Sequence, residues 1–367
     1  MWYVFVPFLV SAIASLLLVR YASLHQHYTG DHDTNGVQKF HSGVVPRVGG
    51  VALLLAALAG CGISAIREDG LYTSVLLLIV ASLPAFLGGL GEDLTKRVRP
   101  SIRLMLAMVS GLIAFYLLDA AVVRLNIWGV DWLLQFGLVS LVATMVVIGG
   151  SANAINIIDG YNGLAAVVSA SIFAGFAYVS FYLGDRLLLV TSVTMIGAIA
   201  GFFIWNYPKG LIFLGDGGAY FLGFMMGETA VLLLYRHPGV SAWFPLLLCI
   251  YPVFETLFSI YRKKFVQGRS PGMPDGVHLH MLVYKRVVRW GIGSAEPRHR
   301  VQRNALTSPY LWILSSLGVM PAVLFWQHQW VLMAFVLLFG VSYVLLYRRL
   351  VSFGTPKWIV LRKRRRK

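Results

Sequence analysis

The sequence predicts an all-α, polytopic integral membrane protein with about eleven transmembrane helices. Three observations predict it. Hydrophobic residues make up 58% of the 367 and charged residues only 13%, where a soluble globule carries about 25% charge. Apolar runs near twenty residues recur along the whole chain, each long enough to cross about 30 Å of hydrocarbon. Those runs are continuous rather than alternating, which selects helices over a closed barrel as the way to satisfy backbone hydrogen bonds in lipid.

Taken in order, the runs place spans at roughly 2–24, 48–66, 73–91, 101–119, 132–150, 163–183, 187–205, 218–235, 244–261, 311–327 and 330–347. The first, beginning at Trp2, has no basic residue before it and no small-residue cleavage pattern after it, so it reads as a retained helix. Cys61 and Cys249 both fall inside apolar runs, which supports neither a disulfide framework nor a zinc site. No linker or internal repeat divides the chain. The reading is one membrane-embedded domain over 1–347, with inner loops at 25–47, 92–100, 151–163, 206–217 and 262–310, and a basic tail over 348–367.

Eleven spans put the termini on opposite sides, and charge chooses which is which. With the C-terminus inside, the inner segments hold 27 Lys and Arg. The outer ones hold only Arg67, Arg124, Arg186 and Arg236. Positive residues mark the cytoplasmic side, so the N-terminus is expected outside and the C-terminus inside. The net charge of +16 then has a membrane explanation: the terminal RKRRRK run faces anionic lipid, and no nucleic-acid partner is needed.

The inner connections carry the polar residues that need explaining. They read QKFHSGVVPRVGG, GEDLTKRVRP, NAINIIDGYNGLA, NYPKGLIFLGDGGAY and GRSPGMPDGVHLHMLVYKR, whereas the outer ones are short and nearly featureless. Turn chemistry accounts for single glycines and prolines, but not for this one-sided elaboration. Asn153, Asn156 and Asp159 recur at i, i+3 and i+6, one stripe of a helix end. Such a stripe is costly beside lipid unless it faces a cavity or itself. Asp216 lies among glycines at the mouth of the eighth span, where helix-start N–H groups offer a place for phosphate. Adjacent Glu92 and Asp93 repel, and a divalent cation would relieve them; oxygen ligands without cysteine favour Mg²⁺, or Mn²⁺ in its place. Together with Lys39, Arg47, Lys96 and Arg269, these acids suit an anionic substrate held by metal and cations at a membrane edge. His278 and His280 could be a metal pair, but their spacing alone favours satisfied interfacial histidines. Glu228 and Glu255 fall inside the eighth and ninth spans, where a charge is functional by default.

At these five connections, over about residues 39 to 310, the sequence resembles the bacterial polyprenyl-phosphate N-acetylhexosamine-1-phosphate transferases. These include the enzymes that start O-antigen, enterobacterial common antigen, teichoic acid and peptidoglycan lipid carriers. The KxH…PRxGG motif is matched from Lys39 to Gly50, and DDxxK as Glu92-Asp93-Leu94-Thr95-Lys96. NxxNxxDGxDGL is matched from Asn153 to Leu164, with Asn162 in place of its second Asp. The GDxGS-type motif is matched from Gly215 to Ala219. HxHH is matched by His278 and His280, with Met281 where the last His would stand.

The resemblance implies transfer of N-acetylhexosamine 1-phosphate from a UDP-sugar to undecaprenyl phosphate, with UMP released. It implies that Asp216 is a Mg²⁺ ligand and that Phe213 stacks on uracil, with Asn206, Lys39 and Asn162 nearby. Asp93 and Asp159, with Glu92 beside them, fall next to the reacting phosphates. Arg269, His278 and His280 fall around the diphosphate and sugar. Arg47, Asn153 and Asn156 complete the substrate-binding set. Beyond Gly268 the motifs look more like the N-acetylglucosamine-type branch than the muramyl-pentapeptide branch. The implied setting is the bacterial inner membrane with the site facing the cytoplasm, and a homodimer is among the assemblies the sequence allows.

A transporter or lipid flippase is the main rival. It predicts related halves with broken helices at the midplane, and no such halves are evident. A CDP-alcohol phosphotransferase needs an Arg soon after Asp-Gly and two further Asp on that helix; DGYNGLAAVVSASIFAG has neither.

Overall fold

A computed structural model describes residues 1–31, 44–68, 70–268, 270, 276–288 and 297–352. Among the described residues, ten helices are long and apolar enough to cross a membrane. They are α1 (Trp2–Arg20), α3 (Gly49–Arg67), α4 (Leu71–Thr95), α5 (Pro100–Leu117), α7 (Gly137–Ile158), α8 (Leu164–Leu183), α9 (Arg186–Asn206), α10 (Gly215–Arg236), α14 (Pro297–Leu324) and α15 (Gln329–Val351). Shorter helices are α2 (Ala22–Thr29), α6 (Val130–Leu133), α11 (Trp243–Leu248), α12 (Ile250–Tyr261) and α13 (Leu279–Val283). The chain is thus an all-α polytopic membrane protein. Its one sheet among the described residues is a two-residue ladder, β1 (Gly30–Asp31) with β2 (Val45–Pro46), paired Gly30 to Pro46.

The ninth expected span, 244–261, is not one helix. It is α11 and α12, meeting at Cys249. Pro252 lies in the first turn of α12; it has no N–H for the carbonyl of Leu248, and its ring crowds that position. Other boundaries move as well, and the tenth span begins at Pro297 rather than at 311. The first span bends at Tyr21 into α2. The fifth starts later and runs on to Ile158, so Asn153 and Asn156 are inside α7 and Asp159 is the residue that ends it.

The helix α10 is the axle of the bundle. It is buried along almost its whole length and packs against α3, α4, α7 and α8. Around it α1 lies on α9, where Gly197 and Gly201, four apart, let the backbone carbonyls of Val4 and Phe8 approach closely. That is the small-residue packing expected between helices in lipid, where apolar area alone drives little association.

The bundle has two distinct ends. At one, Arg186 pairs with Glu68, Asp185 holds Arg236 at 3.2 Å and His237 at 2.7 Å, and Arg124 caps the carbonyls of Leu234, His237 and Val240. Arg67 also lies over the Trp2 ring there. These residues come from the connections expected outside. At the other end the five motif-bearing connections meet.

Candidate active site

The meeting begins with backbone. The amide of Phe213 donates to Pro46 O at 2.9 Å, and Gly49 and Gly50 donate to the carbonyls of Phe213 and Leu214 at 3.0 and 2.9 Å. The first and fourth inner connections are thereby zipped side by side, which brings Arg47 to Asp216. Gly215 makes the turn into α10 with φ +74°, a region L side chains rarely adopt, and a Cβ there would overlap the Arg47 carbonyl oxygen.

Asp93, at the end of α4, is 1% exposed. Its two carboxylate oxygens accept the N–H groups of Asp216 and Gly217 at 2.9 and 2.8 Å. The helix-start N–H groups expected to cradle a phosphate are therefore already satisfied by a side chain. The glycines after Asp216 serve packing instead: Gly218 abuts Gly50, and Gly217 abuts Leu90. Glu92 points elsewhere, accepting from Val98 N at 2.8 Å, because adjacent helical positions face about 100° apart. The two carboxylates thus meet different partners. Lys96 folds back to donate to the Asp93 carbonyl at 2.7 Å.

Asp216 is the hub. Its Oδ1 accepts from Asn156 Nδ2 at 2.9 Å and faces Arg47 Nη2 at 3.3 Å; its Oδ2 pairs with Arg103. Arg47 also reaches toward Asp93 Oδ1 at 3.8 Å. Arg103, at the start of α5, is in the sequence one of the 27 inner cations. The signal for it was a charge inside the first turn of a span, where a bare cation is costly. Asn156 and Asp159 come from the Asn–Asp stripe, with Asn153 one turn back and half-buried. Desolvation pushes the Asp159 carboxyl up to about 7, against the lowering pull of Arg47. Among the described residues no cluster of three or more His, Cys, Asp or Glu offers a ready-made metal cage.

Other candidates are placed as framework. Asn206 accepts from Gly163 N at 2.6 Å and donates to Ile212 O at 2.8 Å. Asn162 donates to Pro208 O at 3.0 Å, while its backbone is held by Asn304 and Ser308. Both are buried, and together they fix the DG loop against the 206–212 turn. Phe213 is half-buried beside that turn. His278 and His280 lie parallel, centroids 5.3 Å apart, with His280 edge-on to Tyr161 and against Gly160. The histidines thus reach the same DG loop that carries Asp159. Lys39, Arg269 and Asp275 lie outside the described residues. Glu228 is fully buried, and its carboxylate has no hydrogen-bond partner among the described residues. It is twelve residues beyond Asp216, about 18 Å along the helix axis, and does not belong to this cluster.

The comparisons bear on this end of the bundle. The sequence profile of the family described as "Glycosyl transferase family 4" matches residues 75–234, from α4 to α10. A Bacillus subtilis protein named "Probable undecaprenyl-phosphate N-acetylglucosaminyl 1-phosphate transferase" is 27% identical over 285 residues, covering 75% of each chain. A Thermotoga maritima undecaprenyl-phosphate alpha-N-acetylglucosaminyl 1-phosphate transferase is 28% identical over 279 residues, 76% of this chain and 81% of its own. A Streptococcus uberis phospho-N-acetylmuramoyl-pentapeptide-transferase is 26% identical over 305 residues, 74% of this chain and 88% of its own. The matched stretch carries Asp93, Asn156, Asp159 and Asp216, the groups that α4, α7 and α10 bring together, and over that stretch the chain is similar to glycosyl transferase family 4.

Proposed function

We propose that the protein transfers N-acetylhexosamine 1-phosphate from a UDP-sugar to undecaprenyl phosphate, releasing UMP and leaving a lipid diphosphate-sugar that begins a cell-envelope polysaccharide. The observation that carries this reading is the convergence of Asp216, Asp159, Asn156, Arg47 and Arg103 at one end of a membrane bundle. Carboxylates and guanidinium groups interleaved at a membrane edge suit two phosphorylated substrates, one dissolved in water and one anchored in lipid. Two of the relatives named above, from Bacillus subtilis and Thermotoga maritima, carry undecaprenyl phosphate in their names, which supports the acceptor.

In the proposed step an acceptor phosphate oxygen attacks the sugar-bearing phosphorus of the donor. The new P–O bond forms, the bond to the UMP phosphate breaks, and UMP takes that electron pair. The acceptor oxygen is ionised near neutral pH and requires no general base. Asp93 is already committed to two backbone N–H groups, which favours a positioning role over proton abstraction. Among the described residues, Arg47 and Arg103 are the cations paired with Asp216, and each can follow charge from it to a phosphate. Oxygen donors suit Mg²⁺, with Mn²⁺ as its substitute, and Asp216 and Asp159 with Asn156 would hold it. When bound, such an ion would neutralise the diphosphate and the charge developing on the leaving group. Both Asp216 oxygens face nitrogen partners here, so its entry requires an arginine to give way.

The test is a donor screen with purified protein, undecaprenyl phosphate and Mg²⁺. The panel is UDP-N-acetylglucosamine, UDP-N-acetylgalactosamine and the UDP-muramyl-pentapeptide that the streptococcal likeness makes the second candidate. UMP release that is lost on chelation and reverses with added UMP is expected. Release of UDP would mean direct sugar transfer and would sink the reading.

A further inference from the structure

Glu255 lies on α12, buried to 1% exposure. Neither the family match, which ends at residue 234, nor the resemblance over the five connections gives it a role. A carboxylate so placed is expensive unless hydrogen-bonded, and this one accepts three hydrogen bonds. Leu279 N donates to Oε1 at 3.0 Å, His278 Nδ1 to the same oxygen at 3.0 Å, and Tyr343 Oη to Oε2 at 2.8 Å. An ionised carboxylate can only accept. The proton between Glu255 and His278 therefore belongs to Nδ1, which leaves Nε2 as the nitrogen available to a ligand. The order continues outward: His278 stacks flat on His280, and His280 rests against Gly160 and Tyr161, one and two residues from Asp159.

The third donor comes from an unexpected place. Tyr343 is on α15, far beyond every motif, and is completely buried. One turn on, Tyr347 accepts from Arg262, which also donates to Val277 O beside His278. The last helix thus clamps both sides of the segment that carries the histidines.

We propose that Glu255, oriented by Tyr343, is the positioning residue that fixes the ring orientation and tautomer of His278 for the transfer reaction. The last helix is then part of the active site although it carries no motif. This rests on the reading of His278 as a residue that contacts the donor. It uses the general device in which a carboxylate sets which nitrogen of a histidine faces the chemistry.

The test uses the full-length protein with the variants Glu255→Leu, Glu255→Gln, Tyr343→Phe, His278→Ala and the pair Glu255→Leu/His278→Ala. Turnover of Glu255→Leu is expected to fall about 10–100-fold, the scale on which such orienting partners act. Glu255→Gln, which keeps an acceptor of the same shape, should lose less, and Tyr343→Phe less again. Because Glu255 acts through His278, the pair should be no slower than His278→Ala alone. A merely structural carboxylate would give losses that multiply, and that outcome overturns the proposal. So does wild-type turnover in Glu255→Leu. If Glu255→Leu does not fold, Glu255→Gln with and without His278→Ala answers the same question.

A second readout needs no turnover. In protein labelled with ¹⁵N-histidine, at a pH well above the free imidazole pKa of about 6.5, His278 should carry its proton on Nδ1. In Glu255→Leu it should shift toward Nε2; an unchanged tautomer would also end the proposal. If the wild-type protein releases UMP from no donor, the functional reading fails while the spectrum still decides the role of Glu255.

Discussion

Asp216 and Asp159 are both carboxylates at the same end of the bundle, yet their surroundings differ. Asp216 is met by Arg47, Arg103 and Asn156, whereas Asp159 is held up near 7 by lost hydration that Arg47 only partly offsets. Different outcomes follow for the same Asp→Asn change. Asp216→Asn removes the negative hub between two guanidinium groups. It should cost roughly a thousandfold in turnover, about 4 kcal/mol of barrier, with the protein still inserted. Near-normal UMP release from that variant would take Asp216 out of the site. A cap-only role is already disfavoured, because Asp93 rather than Asp216 receives the free N–H groups at the start of α10. For Asp159 the sign is opposite in stability. A carboxyl whose folded pKa exceeds its unfolded value near 3.8 makes folding less favourable as pH rises from about 4 to about 7, and the loss then levels off. In chelator, Asp159→Asn should therefore melt higher than wild type near pH 8, with the gap closing by about pH 4, while in Mg²⁺ its turnover should fall below wild type. A melting temperature unchanged at pH 8 would show that the burial of Asp159 costs nothing. These roles were only partly legible in the sequence. The stripe Asn153–Asn156–Asp159 and the lone Asp216 announced themselves by polarity in apolar surroundings. Arg103 did not, because a cation beside an inner loop already had an explanation in membrane orientation. The Glu255–His278 bond joins residues 23 apart through a break between helices, and one sequence carries no signal of that pairing.

Among the elements, the site depends on how closely α3, α4 and α10 approach, and glycines set that distance. A Cβ at Gly50 would overlap the backbone of Gly217 and Gly218, which cannot move aside as a flexible side chain could. Gly62, on the same helix, has nothing within 4 Å of where a Cβ would stand. Gly50→Ala should therefore destabilise the protein by about 1–3 kcal/mol, as overpacking does, and lower turnover by moving Arg47 away from Asp216. Gly62→Ala should be neutral or slightly stabilising, since alanine is the better helix former. Equal melting temperatures and activities for the two variants would mean that α3 and α10 adjust freely. The hydrophobic runs made the long helices readable because a span needs only length and apolarity. The break at Cys249 was not read, although Pro252 stood in the sequence, because a proline inside an apolar run is tolerated in many spans and hydropathy averages over it. Likewise the start of α14 lies well before its apolar stretch, since its first turns are held by the site rather than by lipid. Ser308 bonds Asn162 O at 2.6 Å, and Asn304 takes Asn162 N at 2.8 Å.

Across the whole molecule, two ends with separate chemistry are joined by helices that carry almost none. Among the described residues ten helices are long and apolar enough to cross a membrane, and the α11–α12 pair stands where the sequence expects an eleventh span. Trp2 accordingly sits with Arg67 at one end, and Tyr347 with Arg262 at the other. The fold fixes which residues share an end, and charge predicts which compartment each end meets. With 27 of 31 Lys and Arg in the segments that the sequence expects inside, the positive-inside rule predicts that the motif end meets the cytoplasm. The proposed reaction would agree, since its UDP-sugar donor would be met in the cytoplasm while the acceptor tail stays in the bilayer. Single cysteines placed in a background lacking Cys61 and Cys249 test this directly, provided that the positions are exposed. Gly70, Trp128, Gly239 and His328 are exposed at one end, and Arg97, Lys209 and Arg300 at the other. A membrane-impermeant thiol reagent added to intact cells should label the first four and spare the last three, which should react only once the membrane is opened. The reverse pattern would put the carboxylate cluster on the side without nucleotide sugars and would remove the physical basis of the proposed reaction. Labelling that divides one group between the two sides would contradict the fold itself, because Asp185, Arg186, Arg236 and Arg124 tie the first group's connections together across the bundle.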